Sequence, residues 1–201
     1  MRRFVVVGHR AVTSSNFNLN DLCGSAGRLD VLLRCINSVF FLSHDLRRDA
    51  ELYLIFKGEP DPPKTIKFVG NELKYLNPDE RSTAALIRNA LMKKIKKSEI
   101  RSTPGIYISR NNFEDTIEKL ANISKLIYLR EDGKPFDQKE TDQDYTFVLG
   151  DDRNLSKEEE GILKKFQPEI ISLGPISYHS DHCITILNWL LDQNTNPYES
   201  K

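Results

Sequence analysis

The sequence of 201 residues lacks the features that identify several large classes of protein. Its three cysteines, Cys23, Cys35 and Cys183, include no CxxC spacing, which argues against a disulfide framework and a structural zinc site. No apolar run approaches membrane-spanning length, and the apolar part of the first eight residues is too short for a signal peptide. We therefore expect a cytoplasmic protein with reduced thiols and no membrane contact.

The short motifs of the commonest α/β enzymes are also missing. The sequence has no GxxxxGK[ST] phosphate loop, no GxGxxG after its first strand, no GxSxG nucleophile elbow and no HExxH metal motif. His179, Asp181, His182 and Cys183 are neighbours, but at the start of a helix they cannot all face one ion, so we expect no metal. Cys183 as a nucleophile would need a base and a lowered pKa; packing or ligand contact is the more usual role.

The formal net charge of zero hides a gradient along the chain. Residues 79–101 carry seven basic and three acidic side chains, a local sum of +4, whereas residues 131–160 carry eleven acidic and four basic ones, a local sum of −7. Such asymmetry can guide a polyanion to one face of a protein. Charge runs are also typical of solvated helix faces, which is the alternative for the basic cluster on the outer face of the helix that follows Asp79.

Strands and helices alternate, which predicts an α/β fold with a mainly parallel sheet and helices on both faces. The length and the 39% of hydrophobic residues support one domain over residues 1–201. Residues 65–69 and 72–76 are predicted as a hairpin within an insertion at about 59–76, and residues 130–144 as a mobile acidic loop. Ser156 and Glu159 form the pattern of a capping box.

Residues 170–183 run from an apolar, core-type strand through Gly174 and Pro175 into an apolar helix. Proline ends the strand ladder because it has no backbone donor, and open α/β sheets bind ligands at the carboxyl ends of their strands. This loop and residues 149–152 can approach each other and hold a planar base, sandwiched between Leu129 and Ile176. A plain strand-to-helix connection is the alternative.

Residues 16–27 form a long polar connection in which Asp21 is the only carboxylate. Such loops often carry function, although Asp21 capping a turn is the simpler interpretation. Arg28 and Arg34 lie off the apolar stripe of the next helix and place cations near this loop. The final helix has an apolar belt wider than one core-facing stripe needs, which predicts a homodimer.

Several of these segments resemble one known family. The carboxyl-terminal part contains Leu-Gly-Asp-Asp, a capped helix and Ser-Leu-Gly-Pro-Ile-Ser-Tyr before the helix with Cys183, and it resembles the knotted half of the SPOUT methyltransferases. Near the start stand Phe-Val-Val-Val-Gly-His-Arg-Ala and Asn-Leu-Asn-Asp-Leu-Cys-Gly-Ser-Ala-Gly-Arg-Leu-Asp. Together they are similar to the archaeal tRNA pseudouridine N1-methyltransferase family over essentially the whole chain.

The resemblance implies a deep trefoil knot at about residues 125–195, a homodimer with the site at its interface, and S-adenosylmethionine (SAM) as cofactor without a metal. It implies methylation of N1 of pseudouridine 54 in the T loop of tRNA, with Asp21 facing the target base. The implied cofactor contacts are Leu129, Gly150, Leu173, Gly174, Pro175, Ile176, Ser177, Tyr178 and Cys183.

A tRNA substrate needs a cationic surface, since phosphate contacts fix its register. The candidates for this surface are Arg28, Arg34, Arg88, Lys93, Lys94, Lys96 and Lys97. Neither DNA nor a membrane is expected as a partner. Two alternatives stay open: a ribosomal RNA pseudouridine N1-methyltransferase, and a knotted RNA-binding or assembly factor with little turnover. The short chain and the compact insertion at 59–76 favour the tRNA enzyme.

Overall fold

The computed structural model describes residues 1–95, 98–136 and 143–193. Within these residues a sheet of eight strands has the order β4-β5-β3-β2-β1-β7-β6-β8. The strands are β1 (Arg2–Val12), β2 (Ala50–Gly58), β3 (Lys64–Val69), β4 (Ile100–Thr103), β5 (Ile106–Ser109), β6 (Lys125–Pro135), β7 (Tyr145–Gly150) and β8 (Glu169–Ser172). The helices are α1 (Leu29–Phe40), α2 (Glu80–Leu91), α3 (Phe113–Ala121), α4 (Lys157–Lys164) and α5 (Ser180–Asp192).

The sheet is parallel from β2 through β1, β7 and β6 to β8, and β3, β5 and β4 extend it in antiparallel fashion at the other edge. Hydrophobic residues of α1, α2 and α5 pack on one face, and those of α3 and α4 on the other. The predicted α/β class with a mainly parallel sheet is confirmed. In residues 1–95, 98–136 and 143–193, no helix is long and apolar enough to cross a membrane.

The apolar run of β1 explains its central position. Phe4 and Val6 point into the core under α1, Val5 and Val7 point into the core under α3 and α4, and all four are fully buried. Successive side chains of a strand point to opposite faces, so a continuous apolar run suits a strand that is covered on both. The parallel neighbours of β1 place its carboxyl end beside that of β7.

Ion pairs join the start of β1 to the end of α5. Arg2 in β1 donates from Nη1 to the Asp192 carboxylate at 2.9 Å and to the Asn188 carbonyl at 3.3 Å. Arg47 donates to the same Asp192 carboxylate at 2.8 and 2.7 Å. Arg2 and Arg47 are both at least nine-tenths buried, and Arg2 also pairs with Asp49 at 3.0 Å. The last turn of α5 and Asp49 together neutralise these two buried charges.

The predicted hairpin at residues 65–76 is wrong. Residues 65–69 do belong to β3, but a short 3-10 turn, Gly70–Glu72, follows, and the residues after it up to Asp79 form no strand. β3 instead pairs with β2 before it and with β5 after it. Alternation of apolar residues is a local signal, and it does not identify the distant strand that supplies the partner.

Three further expectations need correction. Strand β8 lies at the edge of the sheet and buries only Ile171, so it is not a core strand covered on both faces. Strand β6 continues into the predicted loop and ends at Pro135, because Lys134 and Pro135 pair with β8; residues 137–142 of that loop lie outside the described residues. Helix α2 ends at Leu91, so Lys93 and Lys94 follow it rather than lie on its outer face.

Side-chain caps stabilise the starts of α2, α3 and α4. The Asp79 carboxylate accepts the backbone N–H groups of Arg81 and Ser82 at the start of α2. The capping box predicted from Ser156 and Glu159 is confirmed, because each side chain accepts the other residue's backbone N–H. Such caps fix the direction in which α4 leaves the loop that follows β7.

Candidate functional site

A cavity of about 530 Å³ lies at the carboxyl ends of β7 and β8, beside the middle of β6. β6 pairs in parallel with both β7 and β8, so the loops that follow β7 and β8 meet at one edge of the sheet. Ligand sites in proteins have volumes of this order, and open α/β sheets place them at this edge. The lining comes from residues 128–132, 149–155, 160, 171–174, 176–180 and 183.

The cavity brings together most of the residues predicted to contact a cofactor. Those in its lining are Leu129, Gly150, Leu173, Gly174, Ile176, Ser177, Tyr178 and Cys183. Pro175 is not part of the lining, although both its neighbours are. The structure therefore places these residues around one cavity, and their contacts with a cofactor stay a prediction.

Gly150 is required by the close approach of its own loop. A Cβ atom at this position would lie 1.8 Å from the carbonyl oxygen of Arg153, far inside contact distance. The loop is closed further by the Arg153 N–H, which donates to the Asp151 carboxylate at 3.1 Å. The backbone of residues 150–153 therefore curls against itself where it borders the cavity.

Side-chain hydrogen bonds join the three loops. The Ser180 hydroxyl at the start of α5 donates to the carbonyl of Gly150 at 2.8 Å. The Ser177 hydroxyl donates to the Glu131 carboxylate at 2.5 Å, and this bond lowers the pKa of Glu131. The loop after β8 is thus fixed both to the loop after β7 and to the segment within β6.

Asp21 lies in an exposed turn. Its carboxylate accepts the backbone N–H of Gly24 at 2.9 Å, and its carbonyl accepts the Ser25 hydroxyl at 2.6 Å. Asp21 is not in the lining of the cavity formed by its own chain. Within one chain, therefore, Asp21 has the turn-capping contacts of the simpler interpretation, and its role towards a substrate stays a prediction.

The predicted cations are divided between two places. Arg28 and Arg34 both donate to Asp30 at 3.0 Å; burial raises the pKa of this carboxyl, but the two guanidinium groups outweigh burial and lower it. Arg28 also lies 3.4 Å from Asp152, which lines the cavity and is paired with Arg10 as well. Arg10 was not among the predicted cations.

The second group lies on and after α2. Arg88 is in the last turn of this helix and is partly exposed, and Lys93 and Lys94 are exposed just beyond it. Lys96 and Lys97 lie outside the described residues. The predicted cations therefore form two separate groups, one at the N-cap and in the first half of α1 and one at the end of α2.

A buried ionic cluster lies beneath the cavity and was not predicted from the sequence. The two oxygens of Asp151 accept the backbone N–H of His9 at 2.8 Å and face its Nδ1 at 2.9 Å. His9 Nε2 lies 3.0 Å from Glu159, which also accepts from Lys57 Nζ at 2.6 Å. His9 follows the apolar run of β1. Its position at the carboxyl edge of the sheet is the sequence feature that could have indicated this cluster.

The charges in this cluster support one another. The hydrogen bonds to Asp151 and Glu159 raise the pKa of His9 to about 9, so its imidazole is a cation at neutral pH. Burial raises the pKa of Glu159, but its bonds with His9, Lys57 and Ser156 outweigh burial and hold the pKa at about 2. Two cations and two carboxylates therefore compensate each other beneath the cavity.

The sequence as a whole matches one family. The model of the SAM-dependent RNA methyltransferase family matches residues 1–196. The chain belongs to this family.

Individual proteins are similar to this chain over nearly its whole length. A tRNA (pseudouridine(54)-N(1))-methyltransferase of Methanocella arvoryzae is 53% identical over 194 residues, which cover 96% of this chain and 100% of the relative. The protein of the same name from Methanococcoides burtonii is 46% identical and covers 96% and 97%. Archaeoglobus fulgidus Nep1, solved with bound S-adenosylhomocysteine, is 14% identical with a TM-score of 0.67 over 96% of each chain, which shows a shared fold.

The cavity of this SAM-dependent RNA methyltransferase fits its cofactor by size. Five carboxylates line it, of which three are in ion pairs: Asp151 with His9, Asp152 with Arg10 and Arg28, and Asp132 with Arg130. The other two accept hydrogen bonds from the hydroxyls of Ser177 and Tyr128, and carboxylates at short range favour the positive sulfonium of SAM. Ile176 is an exposed apolar side chain at the rim, where it can cover a planar base. The five carboxylates belong to Glu131, Asp132, Asp151, Asp152 and Glu160.

Cys183 has the environment of a packing residue. Its thiol lies 3.8 Å from the carbonyl oxygen of Tyr178, and burial raises its pKa to about 11. A nucleophilic cysteine needs the opposite shift, since the thiolate is the reactive form. In the described part of the chain no three His, Cys, Asp or Glu side chains are grouped so as to hold a metal ion.

Proposed function

We propose that this protein transfers a methyl group from SAM to N1 of pseudouridine 54 in the T loop of tRNA. The observation that carries the proposal is its similarity over 96% of its length to enzymes of that name, combined with a cavity at the sheet edge. Membership of the SAM-dependent RNA methyltransferase family supports the cofactor. We also propose a cytoplasmic location, which a tRNA substrate supports.

The residues of the cavity would hold the cofactor, and catalysis would come mainly from the alignment of the two reactants. SAM supplies an activated methyl group, whose transfer needs alignment of two reactants and the handling of one proton. The backbone groups of the loops after β7 and β8 can bind an adenosine, and Leu129 and Ile176 offer apolar contact to its faces. The carboxylates of the cavity lining favour SAM, because its sulfonium is positively charged.

Asp21 is the proposed partner of the target base. N1 of pseudouridine carries a weakly acidic N–H, and a carboxylate can accept this proton or orient the ring. The bond from Gly24 fixes one end of the Asp21 side chain within an exposed loop. Because Asp21 does not line the cavity of its own chain, its role fits a site completed at an interface between two protomers.

A homodimer is supported by the exposed face of α5. Trp189 is 59% exposed on this helix, and Ile176 and Tyr178 at the cavity rim are 63% and 43% exposed. Large exposed apolar side chains, here on α5 and in the loop before it, are typical of a surface that another chain covers. We also propose the trefoil knot that the family resemblance implies, with the final helix threaded through a loop.

Replacing Trp189 with glutamate should convert the dimer into a monomer. A charge in the centre of an apolar interface is left unpaired when the surface is buried, which opposes association. Light scattering at micromolar concentration should show the mass of two chains for the natural protein and of one chain for Trp189→Glu. The control is Ile123→Glu, which alters an exposed side chain just after α3 and should keep the mass of two chains. A natural protein with the mass of one chain would sink the proposal.

Reversing the charge of Lys93 and Lys94 should weaken tRNA binding and reduce its salt dependence. Each phosphate contact that is lost lowers the slope of log affinity against log salt by about 1. Both lysines are exposed, so the reversal should leave the fold intact. The control variant reverses the charge of Lys119 and Lys164, which are exposed residues of α3 and α4. Equal slopes for both double variants would identify the first pair as an ordinary solvated surface.

The ribosomal RNA enzyme is the second candidate function. The likeness to Nep1 concerns the fold alone, whereas the relatives that are about half identical are named as tRNA enzymes. Mass spectrometry of nucleosides from tRNA and ribosomal RNA, before and after gene deletion, tests the choice. N1-methylpseudouridine should disappear from tRNA alone. Loss from ribosomal RNA alone would refute the tRNA assignment, and titration with SAM separates an enzyme from a cofactor-free assembly factor.

A further inference from the structure

We propose that His9 is a positioning residue of the cofactor cavity, because it clamps the carboxylates of Asp151 and Glu159 and so holds residues 150–155 in their binding shape. His9 itself is not part of the cavity lining, whereas residues 150–155 are. The inference rests on the proposed function, since it assigns a task to a residue beneath the proposed cofactor site. The cavity is built by β6, β7 and β8, and its shape would depend on a residue of β1 as well.

The clamp acts at both ends of the lining segment. At one end, the backbone N–H and Nδ1 of His9 meet the two oxygens of Asp151, directly after Gly150. At the other end, Nε2 meets Oε2 of Glu159 in the first turn of α4. The same Oε2 accepts the backbone N–H of Ser156 at 2.7 Å. One imidazole therefore connects the exit of β7 with the entrance of α4.

Only the doubly protonated ring can serve both carboxylates, because each ring nitrogen must donate. The side chains of Asp151 and Glu159 are each 2% exposed and that of His9 is 13% exposed, so water contributes little to the cluster. The charged groups around His9 are Asp151 after β7, Glu159 on α4 and, through Glu159, Lys57 on β2. Loss of the His9 proton leaves two nearly buried carboxylates with one cation.

The clamp therefore has a defined pH range. The pKa of His9 is raised to about 9, so the clamp is present below that pH and is lost as the pH rises through it. A neutral ring keeps at most one of its two donor bonds, which weakens the attachment of one end of residues 150–155, although the backbone N–H of His9 still bonds to Asp151. We expect cofactor affinity to follow this titration.

The test measures S-adenosylhomocysteine affinity by calorimetry from pH 7 to pH 10. His9→Gln keeps an amide donor for one carboxylate at most, and it should bind roughly tenfold more weakly at pH 7. The ratio of natural to variant affinity cancels any ionisation of the ligand, and this ratio should fall towards 1 above pH 9. The control is Lys67→Met on β3, which breaks a 2.6 Å ion pair with Glu99 and should leave the affinity unchanged.

A second variant separates positioning from general stability. Glu159→Gln retains the capping box, because glutamine also serves at this position of a helix, but it removes one carboxylate from His9. The midpoint of the pH dependence should therefore move to lower pH. A midpoint that stays in place, or an affinity of His9→Gln equal to that of the natural protein, overturns the proposal.

A readout without ligand distinguishes this inference from the proposed function. Amide hydrogen exchange of residues 150–155 should be faster in His9→Gln than in the natural protein and in Lys67→Met, whether or not a cofactor binds. Unchanged exchange overturns the clamp. Absence of S-adenosylhomocysteine binding by the natural protein, with faster exchange in the variant, would refute the function and leave the clamp supported.

Discussion

Replacing Gly150 with alanine should reduce the affinity for S-adenosylhomocysteine by roughly 100-fold or more. The new methyl group would lie 1.8 Å from the Arg153 carbonyl oxygen, so the loop cannot keep its path. Displacement of this loop removes the backbone groups of residues 150–153 from the cavity and moves Asp151 and Asp152 with them. A loss of about 3 kcal/mol in binding corresponds to a factor of about 100. Isothermal titration calorimetry measures this change directly.

Gly161 provides a matched control for this substitution. It lies within α4, and a Cβ atom there would meet no atom within 4 Å. Alanine is favoured over glycine in a helix interior by about 1 kcal/mol, so Gly161→Ala should melt at an equal or higher temperature and bind the cofactor normally. Binding of Gly150→Ala within a few-fold of that of Gly161→Ala would show that the loop after β7 does not form the site.

Replacing Asp21 with asparagine should lower turnover by roughly 10²- to 10⁴-fold without changing cofactor affinity. Loss of a general base costs rate in this range. Asparagine keeps an oxygen that can accept the Gly24 N–H, so the turn at residues 21–24 should persist, and the change removes the charge rather than the loop. Turnover is measured as methyl transfer to tRNA, and affinity by titration with S-adenosylhomocysteine.

The control for Asp21 is another exposed carboxylate. Asp45 accepts a hydrogen bond from Arg48 and the backbone N–H of Leu46 in a different loop, and its side chain is 66% exposed. Asp45→Asn should therefore leave turnover unchanged. Equal, near-normal rates for the two variants would refute a role of Asp21 in catalysis and leave it as a turn cap.

Local signals in the sequence predicted local structure well. The apolar run from Phe4 to Val7 in β1, and Ser156 with Glu159 at the start of α4, are patterns whose causes lie within one strand or one turn. The Gly-Pro turn after β8 also marked the loop at the cavity correctly, because strand ends in a parallel sheet gather at one edge. These features required no knowledge of distant partners.

Long-range pairing was the part that the sequence did not predict. The bonds of His9 reach residues 142 and 150 positions away, and no periodicity connects them. The edge position of β8 depends on the order of strands in the sheet, which a strand's own composition does not encode. The interpretation of Glu159 as a cap was correct but incomplete, because the same carboxylate also binds His9 and Lys57.

The ion pairs between β1 and α5 bear on how the fold is completed. Arg2 and Asp192 are 190 positions apart, and contacts over such a separation form late because the entropy of loop closure must be overcome first. Without α5, the guanidinium groups of Arg2 and Arg47 would share Asp49, whose side chain is 55% exposed. A chain that is truncated before α5 would also lack Ser180 and Cys183 of the cavity lining. Full pairing of these buried cations and completion of the cofactor cavity therefore depend on the same helix.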